Sequence, residues 1–248
     1  MATVERRPEH QTERTRVRRL PERGRYDRAT IDRILDEALI CHLGFVDGGQ
    51  PFVIPTIHAR AGDQVYVHGS TGSRALRTLA DGTPVCLTAT IVDSLIFARS
   101  PFNHSMNYRS VVVLGTAREV VDPDEKLEAM RAVVDHVAPG RWDEIREPTA
   151  KEFAATAILS LPLDEASAKV RTGPPHDDEE DLDLAIWAGE VPLRLVSLAA
   201  RPDPLLRAGI EPPPAVTGWE RPSGADAEAA RAEEGQVAHG SPEGEPGP

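Results

Sequence analysis

Val65-Tyr66-Val67-His68-Gly69-Ser70-Thr71-Gly72-Ser73-Arg74-Ala75-Leu76-Arg77 is the stretch on which the fold turns. It reads as a strand, a loop of small residues and the first turn of a helix. Val65, Tyr66 and Val67 favour a strand, and Gly62-Asp63 before them marks a turn. Gly69 to Ser73 offers flexible backbone, three hydroxyls and unpaired amides, and Ser73 suits a helix N-cap. Arg74 and Arg77, three apart, project from neighbouring faces of that helix. Helix-start amides, hydroxyls and an arginine fork form a seat for phosphate. The plainer alternative is a capped helix with two solvated arginines.

Outward from this stretch, the pattern predicts many short strands and few helices. A helix is expected from Asp27, with Ile31, Ile34, Leu35 and Ala38 on one face. Leu39 to Val46 and Phe52 to Ala59 read as a hairpin closed at Asp47-Gly48-Gly49. Pro55 cannot donate a ladder hydrogen bond, which implies an edge, a bulge or an opening toward a ligand. Further strands are expected at Gln64 to His68, Val85 to Val92, Leu95 to Ala98 after a tight turn, Tyr108 to Val121 and Thr156 to Leu163. Lys169-Val170-Arg171 would extend or pair with the last of these, and Gly115 marks a bulge or a close backbone approach. Helices are expected at Ser73 to Ala80 and from Asp122 to about His136, with a helical turn at Thr149 to Ala154. Leu184 to Leu195 is apolar and open between helix and strand. The class is α+β, with an antiparallel barrel or sandwich and peripheral helices.

Composition narrows the function. The chain has 248 residues, 40% of them hydrophobic, enough for one sizeable core, and a net charge of −12 that disfavours nonspecific binding to nucleic acid or anionic lipid. Eight arginines fall in the first 25 residues, read as a flexible basic arm, whereas residues 222–248 are acidic and read as a disordered tail. Cys41 and Cys86 lie in apolar runs and read as free thiols, without the spacing of a zinc site. With no apolar leader or membrane-length apolar run, a soluble cytoplasmic protein is expected. No Ser/His/Asp constellation or GxGxxG motif is visible.

Four stretches carry a resemblance: Phe52-Val53-Ile54-Pro55-Thr56, His68 to Arg74, Asn107-Tyr108-Arg109-Ser110-Val111-Val112-Val113-Leu114-Gly115, and Lys169-Val170-Arg171-Thr172-Gly173-Pro174-Pro175. Their order and spacing resemble the pyridoxamine 5′-phosphate oxidase-like FMN-binding split barrels, in the flavin-nucleotide-binding branch related to nitroimidazole resistance proteins. The resemblance implies a split β-barrel over residues 26–221, FMN as cofactor, and a homodimer with the flavin between subunits. It places flavin contacts along Val53, Ile54, Pro55 and Thr56, and at His68, Ser70, Ser73, Arg74, Arg109 and Ser110. Ala75 stands where the oxidases usually carry Lys, so either Arg77 substitutes for that cation or the phosphate is bound less tightly, and Ser110 stands where the oxidases place a flavin-contacting Gln. The oxidases' C-terminal Trp and Arg signature has no match, which argues against pyridoxamine phosphate oxidation. His68 and His104 are candidates to face a small substrate, His68 with an imidazole suited to proton exchange near neutrality and His104 with the better reach toward a cleft. An FMN-dependent oxidoreductase, with nitro-group reduction as one outcome, is the reading; a deazaflavin (F420) or haem user on the same barrel, or a non-catalytic flavin-binding or ligand-sensing protein, are the alternatives.

Overall fold

A computed structural model describes residues 11–220 of the chain. Its main elements begin with β1 (Gly24–Arg25), α1 (Arg28–Glu37), β2 (Cys41–Asp47), β3 (Gln50–Thr56), β4 (His58–Ala61), β5 (Gln64–Ser70) and α2 (Arg74–Ala80). They continue with β6 (Pro84–Phe97), β7 (Ser105–Thr116), β8 (Arg118–Glu119), α3 (Pro123–Val137), α4 (Ala150–Ala155), β9 (Thr156–Pro162), β10 (Ala166–Arg171) and β11 (Gly189–Pro192). Every strand pair is antiparallel. One sheet has the order β1-β10-β7-β6-β2-β3, with β11 alongside the far end of β6, and the second has the order β4-β5-β9-β8.

Local chemistry sets the helices. Asp27, Ser73, Asp122 and Thr149 each cap a helix by accepting a backbone N–H, and Thr149 with Glu152 completes a capping box. Pro123 fills the first position of α3, where its missing N–H costs nothing. Helix α1 turns Ile31, Ile34 and Leu35, all fully buried, into the space between the sheets. Each such side chain contributes about 1.5–3 kcal/mol of burial. They join Leu43, Phe45, Val65, Leu87, Val111 and Leu159 in one core, while Tyr66, Ile158, Val120 and Ala129 form a second cluster beneath α3.

The structure departs from the sequence expectations where pairing is long-range. The run Phe52 to Ala59 is not one strand: β3 ends at Thr56 in the first sheet and β4 begins at His58 in the second. Ile57 is the crossing point. Tyr108 to Val121 divides in the same way, β7 ending at Thr116 and β8 pairing with β9 in the other sheet. Residues 85–98 hold no tight turn. They form a single strand with a bulge at Asp93, since Val92 faces Tyr108 and Ser94 faces Asn107. Lys169 to Arg171 pairs with β7, and not with Thr156 to Leu163. Gly69 and Ser70 are not loop residues but the end of β5, opposite Ala157 and Thr156. Gly189–Pro192, inside the ambiguous run Leu184 to Leu195, is a strand.

The stretch read as a flexible basic arm is tied to the barrel in its described part. Gly24 and Arg25 pair with Lys169 and Ala168, Thr12 Oγ1 donates to Glu165 at 2.7 Å, and Tyr26 OH accepts from Val17 N–H at 2.8 Å. Residues 1–10 and the acidic tail from residue 222 lie outside the described residues. Cys41 and Cys86 are free thiols, as expected. No helix among the described residues is long and apolar enough to cross a membrane, and no cluster of three His, Cys, Asp or Glu is placed to hold a metal ion.

Candidate functional site

Among the described residues, strand β3 is the terminal strand of the first sheet, so its outer edge carries backbone groups with no neighbouring strand. Pro55 sits on this edge, the location in which a proline does least harm to a sheet. Register with β2 pairs Phe52 with Phe45, Val53 with Gly44, Ile54 with Leu43, and Pro55 with His42. Directly opposed residues share a face, so Phe52 and Ile54 lie on the core side and Val53 and Pro55 on the outer side. Phe52 and Phe45 stack with centroids 5.6 Å apart.

Helix α2 starts close to this edge. A Cβ on Gly69 would lie 2.9 Å from Leu76 Cδ1, so the glycine lets the helix settle against the end of β5. The turn between them is pinned by Ser73 N–H to Ser70 C=O at 2.8 Å and Thr71 N–H to Ala155 C=O at 3.0 Å. Ser70 Oγ accepts from Gly72 N–H and Ser73 Oγ from Leu76 N–H, which leaves each hydroxyl proton able to donate outward. Arg74 then lies over Phe52, its Cζ 4.7 Å from the ring centroid. Neither Arg74 nor Arg77 has a carboxylate partner among the described residues, and both are exposed. Ser73, Arg74 and the strand from Phe52 to Thr56 are therefore brought together.

The remaining candidates are spread over the barrel. Ser110 lies on the outer face of the first sheet, opposite Thr90 and Lys169, and its Oγ donates to Lys169 C=O at 3.3 Å. It shares that outer face with Val53 and Pro55, three strands away. His68 alternates with Val67 and so falls on the Tyr66 face of the second sheet, turned away from the core that α2 covers. It is half-buried, its Nδ1 is buried with no hydrogen-bond partner, and desolvation pushes its pKa down. His104 lies in the loop before β7, beyond the far end of β6, where its Nδ1 is 2.8 Å from Ser100 C=O.

Arg109 is held inside the barrel by two carboxylates. Its Nη1 and Nη2 grip Glu37, with Nη2 2.7 Å from Oε1, while Nε and Nη2 reach Asp93 at 3.0 and 2.7 Å. These ion pairs push its pKa up despite burial. All three guanidinium nitrogens are thus engaged by the C-terminal end of α1 and the bulge of β6. Sequence reading missed this triad, although a lone Asp between Val92 and Ser94 in a β-branched run was a visible signal. It also missed Asp177, whose buried carboxylate accepts from Arg99 N–H and from its guanidinium, and Asn107, which bridges Arg171 and Glu190.

Residues 27–170 match the family model of pyridoxamine 5′-phosphate oxidase. The chain belongs to this family, and its two antiparallel sheets form the family's split barrel. It is similar to the flavocytochrome Anf3 from Azotobacter vinelandii, at 42% identity over 85% of this chain and 98% of that one, with a TM-score of 0.80. It is similar also to an FAD- and haem-binding protein from Mycobacterium smegmatis, at 37% identity over 79% and 96% of the two chains, with a TM-score of 0.76. A candidate 5-nitroimidazole antibiotic resistance protein from Bacteroides thetaiotaomicron shares the fold at 22% identity, over 59% and 86% of the chains, with a TM-score of 0.51. No curated protein matches the chain.

Proposed function

We propose that this chain is a redox flavoprotein that also carries haem, that its flavin is FAD, and that it works as a homodimer. The observation that carries the flavin reading is Arg74: a guanidinium without a carboxylate partner, set on Phe52 at the free edge of β3. A cation so placed is suited to a phosphate, and Ser73 beside it keeps a hydroxyl proton to donate. The unpaired backbone of β3 offers donors and acceptors to a planar ring edge. These features fit the phosphate and the ring of a flavin alike.

FAD is favoured over the FMN implied by the family resemblance because a relative 37% identical over nearly its whole length is named for FAD and haem. The flavocytochrome at 42% identity supports the pairing of flavin with haem. Bound flavin would supply hydride or single-electron exchange, and haem single-electron exchange. The chain's own part is to grip the phosphate with Arg74 and Ser73, to orient the ring along β3, and to close one side with the Phe52 and Phe45 stack. The homodimer is supported by the outer face of the first sheet, where Val46 and Val53 are 54% and 68% exposed beside Pro55.

The test is an absorption spectrum of protein purified without added cofactor, followed by chromatography of whatever heat releases. A flavin band with a Soret band, and FAD in the extract, are expected. FMN in the extract would overturn the choice of FAD, a spectrum without flavin would overturn the reading as a whole, and monomers with flavin bound in sedimentation would overturn the dimer.

A further inference from the structure

We infer that His104 would hold the iron of a bound haem through Nε2, an inference that rests on the flavin-and-haem reading above. The bulge at Asp93 sets the geometry. Without the extra residue, Val92 and Ser94 would share a face; with it, Ser94 and Ile96 are buried and Leu95 and Phe97 turn outward. Leu95 is flanked across the sheet by Met106 on one side and Val191 on the other, and Phe97 by Gly189. These four apolar side chains are 37–44% exposed. Trp187, 67% exposed, lies against Gly189, where a Cβ would come within 2.9 Å of the indole, and its ring is 6.0 Å from that of Phe97. The result is an exposed apolar plate at one end of the first sheet.

His104 stands at the rim of this plate. Its ring meets Phe97 edge-on, with centroids 6.0 Å apart and an interplanar angle of 76°. A carbonyl can only accept, so the 2.8 Å contact with Ser100 C=O puts the proton on Nδ1 and leaves the lone pair on Nε2. An imidazole anchored through Nδ1–H to a backbone carbonyl, with Nε2 open, is the arrangement used to present a ligand to a metal. The other described histidines lack this combination. His58 Nε2 and His136 Nε2 are both taken up by carbonyls of Leu35 and Ala38, and His68 is half-buried on the sheet face beneath α3. His42 lies on the outer face of β2, away from the plate, and His176, beside the Asp177 that bonds Arg99 two residues past Phe97, has no carbonyl anchoring its ring among the described residues.

The experiment is a titration of the full-length chain and its variants with hemin, read by Soret position, spin state and apparent affinity. Wild type is expected to give a histidine-ligated spectrum. His104→Ala should lose that signature and bind hemin more than about tenfold more weakly, with flavin content and far-UV circular dichroism unchanged because His104 is exposed. His104→Gly should regain the signature on adding imidazole, which a misfolded variant could not do. Trp187→Glu should weaken hemin binding while keeping the wild-type signature. If wild type takes up hemin and His104→Ala gives the same spectrum and affinity, the ligand is another residue and the inference falls while the flavin-and-haem reading stands. If Trp187→Glu leaves hemin affinity intact and converts a dimer to monomers, the plate seats a second copy and the inference falls. If wild type takes up no hemin, the haem half of the reading itself is wrong.

Discussion

The guanidinium carbon of Arg74 lies 4.7 Å above the ring of Phe52, so the first residue of α2 is seated on the edge strand of the other sheet. This contact joins the charge to the strand that would border a flavin ring. Hydrogen bonds to charged groups contribute about 1.5–3 kcal/mol each, or roughly ten- to a hundredfold in affinity. Arg74→Ala should weaken flavin binding by that factor, measured by fluorescence titration, and Arg74→Lys should recover part of it. Riboflavin, which has no phosphate, should bind wild type and Arg74→Ala about equally. Arg77→Ala should have little effect; a comparable loss there would assign the phosphate to Arg77.

Arg109 makes the opposite prediction, on stability. Its side chain is 5% exposed, and its partners Glu37 and Asp93 are 10% and 16% exposed. Removing the cation leaves two buried carboxylates facing each other. Breaking a buried pair in this way costs about 3–5 kcal/mol. Arg109→Ala should therefore lower the urea midpoint strongly at neutral pH, and less so under acid conditions where the carboxylates can take up protons. A midpoint within experimental error of wild type would show that the triad is open to water.

Legibility followed the range of the interaction. The helix starts at Asp27, Ser73, Asp122 and Thr149 were readable because the bonds that begin a helix join residues three or four apart. Strand partners were not, because a period-2 pattern shows that a strand exists and not which edge it meets. So Ile57 and Ala117, where the chain leaves one sheet for the other, looked like strand interiors. Gly115 was marked as a bulge or a close backbone approach; it pairs with Val85 in regular register, and a Cβ there would fall 2.9 Å from Leu161 Cδ1, so the close neighbour is a side chain. At the site, Arg74 was visible as a helix-start arginine, but its seat on Phe52 needs the two sheets brought together. Arg109 was read toward the cofactor because nothing local announces Glu37, 72 positions away.

Cys41 supplies a test of the core. Burial pushes its thiol up to about 12, and Cys86 is shifted in the same direction for the same reason. Thiolate is the reactive form, so both should resist a thiol reagent at pH 8 in the native protein, Cys41 more than Cys86. Both should react promptly in denaturant. Fast native labelling of Cys41 would mean that the β2 end of the barrel opens readily.

The last prediction concerns pH. His68 is half-buried with an unpartnered Nδ1, and desolvation lowers its pKa below the unfolded value of 6.5. Between the folded and unfolded values the unfolded chain binds more protons than the native one, so stability rises with pH through this window. The neutral ring is tolerated above the unfolded pKa, where the contribution of His68 is level. As pH falls through about 6.5, the unfolded state gains a proton that the native state refuses, and stability declines until the folded pKa is reached. The carboxylates held low, among them Glu125, Glu165 and Asp177, act in a separate and more acidic window. Urea melts at a series of pH values should show wild type losing stability from about pH 7 downward. His68→Gln, which keeps a polar side chain but does not titrate, should lose less over the same range. The difference between the two profiles isolates His68 from His58 and His136, which both proteins share. Parallel profiles across that range would show that His68 protonates as readily in the fold as outside it.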